Sequence, residues 1–289
     1  MNAALPDFPQ RGACDSHVHV IGPKRRYPLA PGHRYTPKDA ALGALAAMLK
    51  RLGLDRVVIV QPSFYGTDNA CMLDAMAQLK NVRGVAVLPE QMDGATLDKL
   101  HAQGIRGLRV NVASSGPASI DVIKQAVASA ARLCARHGWH VQMFVAADAI
   151  EPLAPVLRDL PVDGVLDHFG LIAPGSENGP LRALQGLLAS GKVWVTISGA
   201  YRIGDDPNDR RIDPLARALC AANPERVVWG SDWPHTPAHD LQKPGGEESP
   251  FQDIDTRGLL DLLPRWLEDE KLVRQVLVEN PARLYGFKS

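Results

Sequence analysis

The sequence predicts an α/β protein built as a single-domain (β/α)8 barrel of the TIM type. Three observations point there. Short β-branched runs alternate with longer stretches of helical period, there are eight such runs, and most of them end in histidine, arginine, glutamine or carboxylate side chains. At 289 residues the chain is long enough to bury one large core.

The strand candidates, in order, are residues 13–20, 56–61, 83–88, 107–112, 140–145, 164–168, 193–198 and 226–230. The first helix candidate, 37–52, places Leu42, Leu45, Leu49 and Leu52 on one face. Helical period continues in 69–80, 95–103, 120–137, 149–160, 180–190 and 214–222, with Ile120, Ile123, Val127 and Cys134 marking the face of the fourth. Two further candidates, 256–269 and 270–284, close the chain. Apolar strands followed by amphipathic helices predict a parallel sheet covered by helices. The alternative is an open doubly wound sheet, but no GxGxxG or GxxxxGK[ST] follows a strand candidate. The least regular segments, 204–213 and 236–255, follow the last two strands and are expected on the barrel's C-terminal face.

Composition narrows the function classes. Formal net charge is zero, with 32 basic and 32 acidic residues, so neither nucleic acid nor an anionic membrane is an expected partner. No apolar run approaches the roughly 20 residues of a membrane span. Cys14, Cys71, Cys134 and Cys220 are far apart, and the opening MNAALPDFPQ lacks a basic region followed by an apolar run. Free thiols in a reducing cytoplasm, in a monomer or homodimer, are expected. Aromatic residues make up 6% of the chain, which leaves no evident stacking platform for sugars or bases.

In a barrel, chemistry sits where strands end and βα loops begin. Strand one offers His17 and His19, which alternation places on one face. Strand two offers Gln61 and Ser63, strand four Arg109 and Asn111, strand five Gln142, and strand six Asp167 and His168. Strand seven offers Ser198, Tyr201 and Arg202, and strand eight Asp232 and His235. A lone strand-end histidine is more often a hydrogen-bonded structural residue, and Asp232 alone could cap a helix. Two imidazoles aimed at one barrel mouth are harder to explain that way. His33 and Tyr35, in the first βα loop, are either structural or ligand contacts. Neutral imidazoles with a carboxylate suit zinc or another divalent metal at His17, His19, His168 and Asp232. The same groups can polarise an ester carbonyl directly. Two guanidiniums, Arg109 and Arg202, suit substrate carboxylates.

HVH at 17–19, DHFG at 167–170, WGSDWPH at 229–235 and VLVENPARLYGF at 276–287 together resemble the amidohydrolase superfamily, in its amidohydrolase 2 branch. QPSFYGTDN, GLRVNV and SGAYR are similar to the lactonase group of that branch, which includes the 2-pyrone-4,6-dicarboxylate hydrolases. The resemblance spans nearly the whole chain. It implies a (β/α)8 fold and hydrolysis of a small anionic lactone, with Asp232 activating water and His17, His19 and His168 polarising the carbonyl. It also implies that Arg109, Arg202, Ser63 and Tyr35 bind the substrate's carboxylates, with Asn111 and His235 as further contacts. Binuclear members carry Lys or Glu on strand four and His on strand five, whereas Arg109, Asn111 and Gln142 stand here. No binuclear centre is therefore expected. The expectation is that no metal is required, a single ion on His17, His19, His168 and Asp232 being the alternative. Rival readings are a metal-dependent decarboxylase, a hydrolase or isomerase of sugar-diacid lactones, and a small-anion binding protein.

Overall fold

Eight strands pair side by side in chain order, every pair parallel. They are β1 (Cys14–Val18), β2 (Arg56–Val60), β3 (Val82–Ala86), β4 (Ile105–Asn111), β5 (His140–Phe144), β6 (Gly164–Leu166), β7 (Val193–Ser198) and β8 (Val227–Gly230). This is a (β/α)8 barrel. The computed structural model describes residues 8–33, 35–114, 118–177, 179–237 and 248–288. Part of the irregular segment 236–255, including His239, lies outside them.

The barrel closes between β8 and β1 just past their ends. Val18 bridges Trp233, the His19 amide donates to the Trp233 carbonyl at 2.8 Å, and the Asp232 amide donates to the His17 carbonyl at 2.9 Å. Asp15 adds a side-chain link, accepting from the Ser231 amide at 2.9 Å. The seam is tight enough to require glycine at 230, where a Cβ would stand 2.7 Å from His17 Cβ. So the seam that closes the fold also sets His17 and His19 against Asp232.

The helices are α1 (Leu42–Leu52), α2 (Ala70–Met76), α3 (Gly94–Ala102), α4 (Ile120–Cys134), α5 (Ile150–Arg158), α6 (Gly179–Ala189), α7 (Ile212–Ala222) and α8 (Thr256–Leu267). Their apolar faces bury Leu45, Leu49 and Leu52 in α1, Ile123, Val127 and Cys134 in α4, and Leu259, Leu260 and Leu263 in α8. Two expectations shift. The first helix begins at Leu42 rather than 37, because Thr36–Pro37 pairs as a short strand with Glu248–Ser249. The last helix, expected unbroken over 270–284, widens into a π turn at Gln275–Glu279 before resuming at Asn280–Tyr285. Pro281 has no N–H to donate to the Leu277 carbonyl.

The C-terminal segment seals the strands' N-terminal ends. Arg56 donates to the Lys288 carbonyl and Arg83 to those of Tyr285 and Gly286. Tyr285 and Phe287 pack there against Cys14, Val58, Val60 and Val85. All four cysteines are buried and free, and among the described residues no helix is long and apolar enough to cross a membrane.

Candidate active site

The strands' C-terminal ends surround a narrow cleft. His19, Ser63, Arg109, Asn111, His168, Arg202 and Asp232 line it, joined by Ser114, Phe144 and Thr236. His17 lies beneath, fully buried.

Backbone strain concentrates here. Of the seven described non-glycine residues with positive φ, five fall in two turns of this rim: His168, Phe169 and Leu171 after β6, and Asp232 and His235 after β8. Each such residue costs of order 1–3 kcal/mol and persists only where the surroundings impose it. The DHFG turn ends β6 at Leu166, two residues short of the expected 168, and swings the His168 ring back to Ser198. Gly199 lets that ring and Asp232 approach, since a Cβ there would lie 3.0 Å from Asp232 Oδ2 and 3.1 Å from His168 Nδ1.

Asp232 is fully buried. Its Oδ2 accepts from the Tyr201 hydroxyl at 2.7 Å and from Arg202 Nε. Among the described residues its Oδ1 has no hydrogen-bond partner, and it lies 3.6 Å from His19 Nε2 and 3.8 Å from His17 Nε2. Burial alone would raise its pKa, but the Arg202 guanidinium, with His168, His19 and His17, outweighs burial and holds it well below the usual carboxylate range.

The histidines differ. His19 Nδ1 stands 2.7 Å from the Val60 carbonyl, which can only accept. The ring proton is therefore on Nδ1 and Nε2 presents a lone pair to the cleft. Burial pulls the His19 pKa down to about 4, so the ring is neutral. His168 Nδ1 lies 2.9 Å from Ser198 Oγ, a hydroxyl that can donate and so leave the proton on Nε2. Burial pulls this pKa down to about 3. His17 Nδ1 faces Gln142 Nε2 at 3.2 Å and Asp167 Oδ1 at 3.3 Å, and its Nε2 has no hydrogen-bond partner among the described residues.

Both arginines reach the cleft already engaged with protein carboxylates. Arg109 donates to the Gln61 carbonyl at 2.9 Å, lies 3.6 Å from Asp167 and has no partner for its Nε–H among the described residues. Burial would raise the Asp167 pKa, but His17 and Arg109 outweigh it and hold it at about 2. Arg202 pairs with Asp232 and donates to Thr236.

Two expected contacts, Tyr35 and His235, do not line the cleft, and neither do His33 and Gln61. Tyr35 has its ring 6.0 Å from that of Phe64 and donates its hydroxyl to the Ser249 carbonyl. His235 uses both ring nitrogens inside the protein, on Tyr201 at 3.3 Å and on Thr256 at 2.8 Å. His33 is engaged with Ala30 and Thr36. Gln61 braces the following loop through the Gly66 and Asp68 carbonyls. Conversely, Asp167, Tyr201 and Phe144 were given no role. Phe144 was legible, standing two residues past Gln142 on the same strand face. Ser114 and Thr236 come from loops without pattern.

A single cation could be held by His17, His168 and Asp232, whose ligand atoms lie within 4.8 Å of one another. His19 falls outside that set, although its Nε2 is near Asp232. The orphaned His17 Nε2 and Asp232 Oδ1 fit such an ion.

The family model described as Amidohydrolase matches residues 14–287. A 4-sulfomuconolactone hydrolase from Rhizobium radiobacter is 33% identical over 96% of this chain and 90% of its own. A 2-pyrone-4,6-dicarboxylate hydrolase from Comamonas testosteroni is 32% identical over 98% and 93%. A D-galactarolactone isomerase from Agrobacterium fabrum is 30% identical over 98% and 94%. Among solved structures, a Pseudomonas putida protein assigned as a 2-pyrone-4,6-dicarboxylic acid hydrolase superimposes with a TM-score of 0.80 at 29% identity, covering 96% of this chain and 98% of that one.

Proposed function

The chain belongs to the amidohydrolase family, and from that premise we propose that it hydrolyses the ring ester of a small anionic lactone, with Asp232 as general base. The observation that carries this reading is the unpartnered Asp232 Oδ1, set between imidazoles in a cleft walled by two guanidiniums. The relatives' activities support the reaction class, and Arg109 and Arg202 support an anionic substrate.

His19 and His168 play different parts. His19 Nε2 and Asp232 Oδ1 are both acceptors, 3.6 Å apart. A water donating to both points its lone pairs at the lactone carbonyl, and Asp232 takes its proton as it attacks. Charge then grows on the carbonyl oxygen. The donors suited to it are His168 Nε2–H and the Arg109 guanidinium, fixed in place before the reaction. The tetrahedral intermediate collapses, and the ring oxygen leaves with the proton that Asp232 carried. The products are an acid and an alcohol or enol.

A divalent cation on His17, His168 and Asp232 would acidify water and polarise the carbonyl. Our reading is that turnover does not require one. Asp232 and Asp167 are already balanced by Arg202 and Arg109, so a bound cation would add two buried positive charges to a neutral set. The test is turnover of 2-pyrone-4,6-dicarboxylate and 4-sulfomuconolactone by chelator-treated, metal-assayed protein. Activity surviving without metal supports the reading, and activity restored only by zinc or manganese overturns that part of it. A second reading, lactone isomerisation, is favoured by the galactarolactone isomerase relative. Acid release separates the two, because isomerisation liberates none.

A further inference from the structure

We propose that Tyr201 is a positioning residue for the base: it reserves Asp232 Oδ1 for water by holding Oδ2, and it is itself held from behind by His235 and Thr256. The inference rests on the reading of Asp232 as the base.

The bond directions follow from what each atom can do. A phenol keeps its proton at neutral pH, so the Tyr201 hydroxyl has one hydrogen to donate. A carboxylate only accepts, so that proton goes to Asp232 Oδ2, at 2.7 Å. The phenol oxygen is then the acceptor for His235, whose Nδ1 lies 3.3 Å away, and the His235 proton is on Nδ1. His235 Nε2 is thereby an acceptor and takes the Thr256 hydroxyl proton at 2.8 Å. Thr256, His235 and Tyr201 thus donate in one direction, ending at Asp232. The chain is anchored on the first residue of α8, a helix that buries seven side chains.

A carboxylate held only by Arg202 could turn about its last torsion and exchange its oxygens. Two donors on the same oxygen oppose that turn and leave Oδ1 toward His17 and His19. Tyr201 touches no reacting atom in this account. It acts through Asp232.

The test is Tyr201→Phe, with Thr256→Val cutting the far end of the chain. On a lactone that the wild type hydrolyses, Tyr201→Phe is expected to lower kcat about 10- to 100-fold with KM within about twofold, the size of losing an outer hydrogen-bond partner that orients a reacting group. Thr256→Val should lower it less. Added to Asp232→Asn, Tyr201→Phe should cost nothing more, whereas a residue that merely supports the fold would lower activity in both backgrounds. A crystal structure of Tyr201→Phe gives a readout independent of turnover. A rotated Asp232 carboxylate supports the proposal, and an unmoved one overturns it. Wild-type kcat in Tyr201→Phe overturns it as well. If the wild type opens no lactone, the functional reading fails and the crystal structure alone decides the positioning claim.

Discussion

At the scale of single residues, one oxygen atom carries the account. Asp232→Asn keeps the shape of the side chain and removes the proton acceptor. We expect kcat to fall about 10²- to 10⁴-fold, with KM changed little. Near-wild-type turnover would exclude Asp232 as base. A second prediction concerns stability. Arg109→Met leaves Asp167 buried with its guanidinium partner gone, which should cost about 3–5 kcal/mol by urea unfolding. Asp167→Asn in the same chain should restore part of that loss. If Arg109→Met unfolds like wild type, the pair contributes no net stability. His17, His19, His168 and Asp232 were legible in the sequence because alternation and strand ends place them. The jobs of Asp167 and Tyr201 were not. Asp167 acts through contacts to β5 and β1, and Tyr201 acts through a turn that swings it onto Asp232, and neither geometry is written in a periodic pattern.

At the scale of elements, all eight strands follow from β-branched runs, and most helices follow within a few residues. The departures have local causes. Thr36–Pro37 takes a partner more than two hundred residues away, which no local signal reveals. The DHFG turn cuts β6 short by left-handed backbone at three non-glycine positions. The β8–β1 seam gives a test at this scale. Gly230→Ala places a methyl 2.7 Å from His17 Cβ and 2.8 Å from the His17 amide nitrogen. Relieving that overlap parts the seam, so stability should fall by about 1–3 kcal/mol. Activity should fall further than folding does, because the same seam sets His17 against Asp232. A variant that keeps both full stability and full activity would show that the seam can relax.

At the scale of the whole molecule, buried neutral histidines link stability to pH. Burial lowers the pKa of His19, His140 and His235 to about 4 and that of His168 to about 3, from 6.5. Below pH 6.5 the unfolded chain takes up protons that the folded protein does not. Their contribution is therefore complete above pH 6.5 and is lost as pH falls toward 4. Asp167, held at about 2, adds a further loss below its ordinary 3.8. Asp15 works the other way: burial raises it to about 6, so its contribution is lost as pH rises from 3.8 through 6. With four histidines against one such carboxyl, unfolding free energy should fall between pH 6.5 and 4.5 with net proton uptake. A flat profile there would mean that the histidines are charged in the folded state.

The central claim is ring opening driven by the Asp232 carboxylate. The most direct test is acid release in a weakly buffered, indicator-monitored assay, with wild type and Asp232→Asn side by side on 2-pyrone-4,6-dicarboxylate, 4-sulfomuconolactone and a sugar-diacid lactone. The account predicts one acid released per lactone consumed by the wild type on at least one of these, and almost none from the variant. Lactone consumed without acid, or equal release by both proteins, would contradict it.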